Sequence, residues 1–504
     1  MKSNVDWVAL GGALLAAGGV MTVSAHAGDF RLTPSITVEQ AVTDNARQQS
    51  PGQRQADTFT RILPGVSMNG AGGRLNFNLG YNLRQTLYVD NDDLDSTSHF
   101  LNFTGNAELI DDMVFFDARA SITEATILNT GAESADITLT NPANRASIQS
   151  ASFSPYMRNR LGNFASTEFR YTFNTTDSEA LSASRSHRLL ASLRSGEDFQ
   201  RLRWALTSDL QHTDRSRSPG VGGSLLAPGQ DSSADTKLFL ADGEYRLNYA
   251  WALTGGIGYE ETRDPTLLET MEGVVGSAGF RYNPSPRTNL ALSYNRRNQS
   301  NFARFNLAHR FTERSTVTVG YDETLQTSEA QRARNLDFLT VDQFGNFVDS
   351  RTAGAFQLNN NNFNLNDNTV RRKTGFVKYD LFNERNTYSA DFRHETSITE
   401  LTGVEQTSIS IAGNWSRTIS EVDRFNLTLR FRTTDFGNTP GLGAAGLGTA
   451  GRSDDTENIN FSFTHNFTPE LSGIVTYSLL ARQSTAAGGD IVENLFIVGL
   501  RKTF

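Results

Sequence analysis

The chain has 504 residues, a formal net charge of −9 at pH 7, no cysteine and 33 phenylalanines. Without cysteine there is no disulfide framework, no thiolate-ligated zinc and no thiol nucleophile, and the composition suits an oxidising compartment. The acidic balance argues against a nucleic-acid partner, which needs a basic face.

Residues 1–27 read as a signal peptide. Lys2 gives a thin positive start, Val8 to Val23 is apolar and rich in Gly and Ala, and Ala25-His26-Ala27 fits a small-x-small cleavage pattern. The mature chain is expected to start at Gly28, with an uncleaved anchor helix as the alternative. No later stretch reaches the roughly 18 apolar residues of a transmembrane helix. Export therefore delivers a chain that is either soluble or built to enter a membrane as strands.

Alternating segments recur from there to the C-terminus. The stretches 30–44 and 57–70 are the least periodic. RLNFNLGYNLR (74–84) sets Leu75, Phe77, Leu79, Tyr81 and Leu83 against Asn76, Asn78, Gly80, Asn82 and Arg84. The acidic run DNDDLD (90–95) lacks the spacing and closing Glu of a calcium loop and reads as solvated loop charge. Pro155 interrupts 147–160. STEFRYTFN (166–174), TNLALSY (288–294) and STVTVGY (315–321) repeat the theme. DRFNLTLRFR (423–432) and NINFSFTHNF (458–467) repeat it again. Each signal is weak alone, and their sum is that of a transmembrane β-barrel.

The links between segments alternate in length. Short ones fall at 110–112, 196–200, 283–287, 312–314, 383–385, 420–422 and 468–470; long ones fall at 128–146, 214–234, 327–369, 437–453 and 485–490. Aromatic residues gather beside the short ones, at Trp251, Tyr282, Phe311, Phe382, Trp415 and Phe467, as in an interfacial girdle. The expected fold is all-β, an antiparallel up-and-down barrel of about 22 strands, within 18 to 24. Residues 28–504 form the barrel, with both termini periplasmic and the long links outside.

Strand parity places Arg84, Arg119, Arg170, Arg188, Arg194, Arg203, Arg304, Arg310, Arg393, Arg430 and Arg432 on the lumen side, with fewer acids: Asp117, Glu168, Asp209, Asp322 and Asp391. This lining favours anionic solutes or polymers, or else forms a ladder of Arg–carboxylate pairs that stiffens the wall. The seven histidines form no paired metal-ligand spacing, and neither a G-x-S-x-G motif nor a Gly-rich phosphate loop occurs. No enzyme, metal or cofactor is expected.

A barrel this wide needs a plug. The first strand is expected to start close to Gly28, so no N-terminal plug domain is expected. The internal candidate is 327–369, which ends in FQLNNNNFNLNDN (356–368) and carries Phe344, Phe347, Phe356 and Phe363. It either folds inward as a constriction or is a mobile surface loop. At the C-terminus, Phe496, Val498 and Leu500 face lipid and Phe504 sits at the rim. This ending resembles the signal that barrel-assembly machinery recognises. Lys502 departs from it, at a depth where lysine costs little.

Three stretches carry a family resemblance: FRLTPSITVEQAVTDNA (30–46), FTRILPGVSMNGAGGRLNFNLGYNL (59–83) and HFLNFTGNAELIDDMVFFDARASI (99–122). FSPYMRNRLGNFASTEFRYTFN (153–174) continues it. The chain resembles the PEP-CTERM system-associated outer-membrane β-barrel proteins, encoded beside exopolysaccharide-synthesis genes. The resemblance implies an outer-membrane setting in a Gram-negative bacterium and a part in exopolysaccharide export; it carries no catalytic residues over. Expected partners are outer-membrane lipid and lipopolysaccharide, the barrel-assembly machinery, polysaccharide and secretion components. The expected function is a conduit for exopolysaccharide. A general or sugar-selective porin and a non-conducting structural or docking barrel are the alternatives.

Overall fold

A computed structural model describes residues 29–216, 231–267, 269–297, 300–341, 347–350, 363, 365, 368–437 and 451–504. The signal-peptide reading of 1–27, most of the 214–234 and 437–453 links, Phe344 and Phe356 lie outside the described residues. The first strands are β1 (Asp29–Thr43), β2 (Asp57–Ala71), β3 (Leu75–Tyr88), β4 (Ser96–Ile110), β5 (Val114–Thr126), β6 (Arg145–Leu161), β7 (Ala165–Ser178) and β8 (Ala183–Ser195). They continue as β9 (Leu202–Ser216), β10 (Ser232–Arg246), β11 (Trp251–Arg263), β12 (Met271–Ser285), β13 (Thr288–Arg297), β14 (Ser300–Thr312) and β15 (Ser315–Thr327). A helix, α1 (Ser328–Asp337), and a small hairpin, β16 (Leu339–Val341) and β17 (Phe347–Asp349), come next. The wall resumes with β18 (Thr369–Asn383), β19 (Asn386–Thr399), β20 (Glu405–Thr418), β21 (Asp423–Phe436), β22 (Arg452–Asn466), β23 (Leu471–Ser484) and β24 (Ile491–Thr503).

All strands but β16 and β17 join one 22-stranded antiparallel sheet, each paired with the next in sequence and β15 with β18. The sheet closes because β24 pairs with β1, from Ser35 opposite Thr503 to Thr43 opposite Leu495. The Phe504 amide extends the seam by donating to the Pro34 carbonyl at 3.0 Å. The fold is thus a closed up-and-down barrel of the transmembrane type.

Side chains alternate across this wall. Along β1, Phe30, Leu32, Ile36, Val38 and Val42 are exposed on the outer face, and along β24 Phe496, Val498 and Leu500 are exposed beside them. Phe504 is exposed past the strand's end. Lys502 shares the outward parity, where its ammonium lies 2.5 Å from Glu470. Prolines are accommodated by skipping ladder rungs, since they have no N–H to donate. The β2–β3 ladder is interrupted between Ile62 and Gly65, across Pro64, and the β6–β7 ladder between Phe153 and Tyr156, across Pro155, with the register unchanged on either side.

Aromatic rings ring the end that carries the short links. Trp251 lies 4.3 Å from Tyr282 between centroids, Trp415 lies 4.8 Å from Phe425, and Phe164 lies 5.5 Å from Phe199. Rings of this kind sit where an apolar body and a polar edge are both satisfied.

The wall predicts its own vulnerability. Val498, midway along β24, faces outward, so Val498→Arg should lower unfolding stability in lipid by about 2–4 kcal/mol. Denaturant titration of the protein in liposomes reads this directly, and an unchanged midpoint would contradict the assigned facing.

Candidate functional site: the lumen and its internal plug

At the end opposite the termini, the lumen is filled by the chain itself. The link between β5 and β6 turns inward rather than standing outside the barrel. It contains two short 3-10 turns, at Ile137–Leu139 and Pro142–Asn144, each capped by a side chain that accepts a backbone N–H: Asp136 from Thr138 and Asn141 from Ala143. Asn144 donates to the carbonyls of Leu128 (2.9 Å) and Ala132 (2.8 Å), so the link is folded on itself and not a loose loop.

Wall arginines grip this segment. Arg61 on β2 and Arg84 on β3 both reach Asp136, at 2.6 and 3.2 Å. Arg432 on β21 lies 3.5 Å from Glu133. Arg482 on β23 donates to the carbonyls of Asn129 (3.0 Å) and Gly131 (2.7 Å), and Arg452 on β22 to that of Thr130 (3.2 Å). On β24 the roles reverse: Glu493 accepts from the Ser134 hydroxyl at 2.6 Å and the Ala135 amide at 3.0 Å. Burial pushes the Asp136 carboxyl up, but the Arg84 and Arg61 guanidiniums, with hydrogen bonds from Arg61 and Thr138, outweigh it and hold it below the usual carboxylate range. A depressed folded-state value means that this contact contributes its full stability above about pH 4 and loses it only as pH falls lower.

The link between β15 and β18 forms the second piece of the plug. Thr327 caps α1 by accepting from the Ala330 amide at 3.1 Å. The helix packs against β5, β6 and β7. Leu336 and Leu339 join Ile127, Ile148, Leu181 and Leu365 in a buried cluster inside the barrel. The small hairpin then reaches the far wall: a Cβ on Gly80 of β3 would sit 2.8 Å from the Phe347 ring. Gly80 is therefore a docking notch for that phenylalanine. The two inserts also meet, where the Leu365 amide donates to the Ile127 carbonyl at 2.9 Å. Of the two expectations for 327–369, the described part follows the inward one. Burying each leucine contributes about 1.5–3 kcal/mol, enough to hold the inserts in place against the entropy of a few ordered residues.

The sequence-selected residues sort into two groups by their partners. Arg84 holds Asp136, and Arg119 lies 3.8 Å from Asp337 of the helix. Arg170 bridges Asp117 and Glu168, each at 3.0 Å, and its guanidinium lies 3.6 Å above the Tyr156 ring. Arg188 pairs with Asp209 at 2.5 Å, Arg304 with Asp322 at 2.6 Å and Arg393 with Asp391 at 3.6 Å. Arg432 meets Glu133. By contrast, Arg194, Arg203, Arg310 and Arg430 show no ion pair among the described residues. Part of the lining is a stiffening ladder and part is cationic charge left open to water.

Sequence reading missed Arg61, Arg452, Arg482 and Glu493, which hold the plug, and Arg158, Arg160, Asp242 and Glu244, which line the other end. Some sit in weakly periodic strands or near strand ends. One signal was present: inward positions that are apolar. Phe59, Ile148, Leu495 and Ile497 face inward and are buried under the inserts, Phe59 and the two β24 residues sharing a cluster with Leu139.

No family model and no curated protein matches the chain. Among solved structures, the siderophore receptor PirA of Acinetobacter baumannii superposes with a TM-score of 0.53 at 9% identity, over 94% of this chain and 80% of that one. A mutant ferric enterobactin receptor, PfeA of Pseudomonas aeruginosa, gives 0.53 at 10% identity over the same shares, 94% and 80%. The FrpB iron transporter of Neisseria meningitidis gives 0.51 at 9% identity, over 94% and 81%. At these identities the likeness is one of fold.

Loosening the first insert should open the part of the lumen that it fills. Asp136→Ala leaves Arg61 with Glu39 as its remaining carboxylate, so the loss is about 1–3 kcal/mol. Combined with Glu133→Gln, it should raise open-state occupancy in planar bilayers roughly 10- to 100-fold. Lowering the pH from 7 to 5 should not mimic it.

Proposed function

We propose that this chain is an outer-membrane conduit for anionic solutes, kept closed at rest by its own inserts and serving exopolysaccharide export. The observation that carries the reading is charge segregation. The whole chain is acidic, at −9, yet the lumen wall is dominated by arginines, several without a carboxylate partner. Positive potential focused between low-dielectric walls raises the local concentration of anions and biases conduction toward them.

Several features support the setting. A closed sheet with apolar residues outward satisfies its backbone in hydrocarbon. Short links at the terminus-bearing end and longer ones at the other fit periplasmic turns and surface loops, which supports periplasmic termini and a plug toward the cell surface. The fold is shared with barrels whose names describe siderophore receptors and an iron transporter, so a transport-related role suits this architecture. The resemblance to PEP-CTERM system-associated barrels supplies the link to exopolysaccharide. The terminal Phe496, Val498, Leu500 and Phe504 would serve assembly into the membrane. A second reading, a non-conducting barrel that organises surface polymer, draws on the plug itself.

Reversal potentials across a salt gradient separate these readings. The refolded chain carrying the plug-loosening changes should be anion-selective, and adding Arg430→Ala should shift the reversal potential toward zero. A chain that never conducts supports the docking reading. A cation-selective pore contradicts the proposal outright. Normal polymer secretion by a strain lacking the protein would remove the export role.

A further inference from the structure

The unplugged end of the lumen holds a recess of about 870 Å³, set into the wall between β6 and β12. Ligand pockets run about 300–1,000 Å³, so this is space for a small ligand or a few units of a polymer, not a packing defect. Its origin lies in the strand register. A single cross-strand row on the lumen face runs Arg160, Ser166, Arg194, Ala205, Asp242, Gly256, Ser277. Large and small residues alternate unevenly along it: the serines, the alanine and the glycine make a low floor, and the arginines and Asp242 stand around it. Arg203 rises from the neighbouring row, opposite Glu244.

Charge is distributed unevenly around this floor. Arg160, Arg194 and Arg203 show no ion pair among the described residues, and all three are exposed to the lumen. Glu244 is taken by Arg281 at 2.6 Å and Arg246 at 3.6 Å. Arg160 and Arg194 stand two strands apart, about 10 Å at the backbone, so an oxyanion above Ser166 lies within reach of both. Asp242 lies low over Gly256: a Cβ there would sit 2.5 Å from its carboxylate oxygen. Around a hydroxyl-bearing floor the recess thus presents three unpaired guanidiniums, with Asp242 and Glu197 of the turn after β8 as carboxylate acceptors.

The frame is held firmly. The turns after β6 and β8 are tied together by the Gly196 amide donating to the Phe164 carbonyl (2.7 Å) and the Asp198 amide to the Asn163 carbonyl (3.1 Å). A Cβ at Gly196 would lie 2.1 Å from the Asn163 carbonyl oxygen, so the close approach needs glycine. Phe164, Phe199 and Trp204 pack together beside these turns.

We propose that this recess is a binding subsite for an acidic saccharide unit. Arg160, Arg194 and Arg203 take the carboxylate or phosphate; Asp242 accepts from sugar hydroxyls, and Ser166 and Ser277 complete the hydrogen bonding. A bare anion would use the guanidiniums and leave Asp242 repelling it. A neutral sugar would leave three guanidiniums unneutralised. Only a ligand with an oxyanion and hydroxyls together matches both sides. The assignment deepens the anionic-conduit reading and rests on it for its physiological meaning, but the binding itself needs no conduction.

Calorimetry on the refolded mature chain in detergent tests this, with a tetrauronate, a phosphorylated sugar, a neutral tetrasaccharide and inorganic phosphate as titrants. Tetrauronate or the phosphorylated sugar should bind at least about 10-fold more tightly than the neutral tetrasaccharide; which of the two binds better identifies the oxyanion. Arg194→Ala and Arg203→Ala should each weaken that binding about 10-fold. Asp242→Asn should weaken it while leaving or improving binding of inorganic phosphate. Heat-modifiable gel mobility verifies that each variant is folded. Equal affinity for neutral and acidic sugars, or unchanged affinity in both arginine variants, overturns the subsite. Inorganic phosphate binding as tightly as the acidic sugars overturns its saccharide character. A chain that binds the acidic sugar but never conducts keeps the subsite and sinks the conduit.

Discussion

Every backbone N–H and C=O inside hydrocarbon must find a partner within the protein, because none is offered outside it. That constraint fixes the pairing of β24 with β1, the seam without which two open edges would face lipid. It also sets the width of the lumen. Closing 22 strands at the usual spacing and tilt gives a cylinder roughly 45 Å across, too wide to be filled by wall side chains. A lumen of that width is either a large hole or is occupied. Here two links from the wall fold into one half of it.

The environment that the inserts enter determines how they are held. A lumen wall built for water has few apolar surfaces to offer, so most of the grip is ionic. Asp136 sits between Arg61 and Arg84, Glu133 meets Arg432, and Arg452 and Arg482 hold main-chain carbonyls. Where apolar contact occurs, it is confined to patches such as that of Leu336, Leu339 and Ile148. Such attachment is specific but divisible, and its charged contacts are of a kind that a polyanion could compete for. The opposite end has a different character, with its guanidiniums left open over small residues. One wall thus uses the same residue type to hold a plug at one end and to leave a cationic recess at the other; the partner supplied decides which.

Much of this was legible in the sequence. Segments such as 74–84 and 423–432 show their facing by alternation alone, because the side-chain period of a strand is two, and short turns near 312–314 and 468–470 mark the hairpins. The plug was less legible. Nothing local in the 128–146 link says that it folds inward; Asp136 finds Arg61 and Arg84 only once β2 and β3 are placed. The clue was on the wall, in Phe59, Ile148, Leu495 and Ile497, which are apolar at positions that parity assigns to water. The recess was hidden for a related reason. Arg160, Arg194 and Asp242 are far apart in the chain and share one row only through the register of five strands, which no single segment encodes.

The central claim is that the link after β15 crosses the lumen and docks on β3. The chain has no native cysteine, so Gly80→Cys paired with Phe347→Cys gives a clean reporter in the membrane-inserted protein. A short bis-thiol cross-linker should join the two within one molecule in high yield, locking the lumen closed. If both thiols label freely with a monofunctional reagent yet never cross-link, the segment does not reach the far wall, and the self-plugged barrel is wrong.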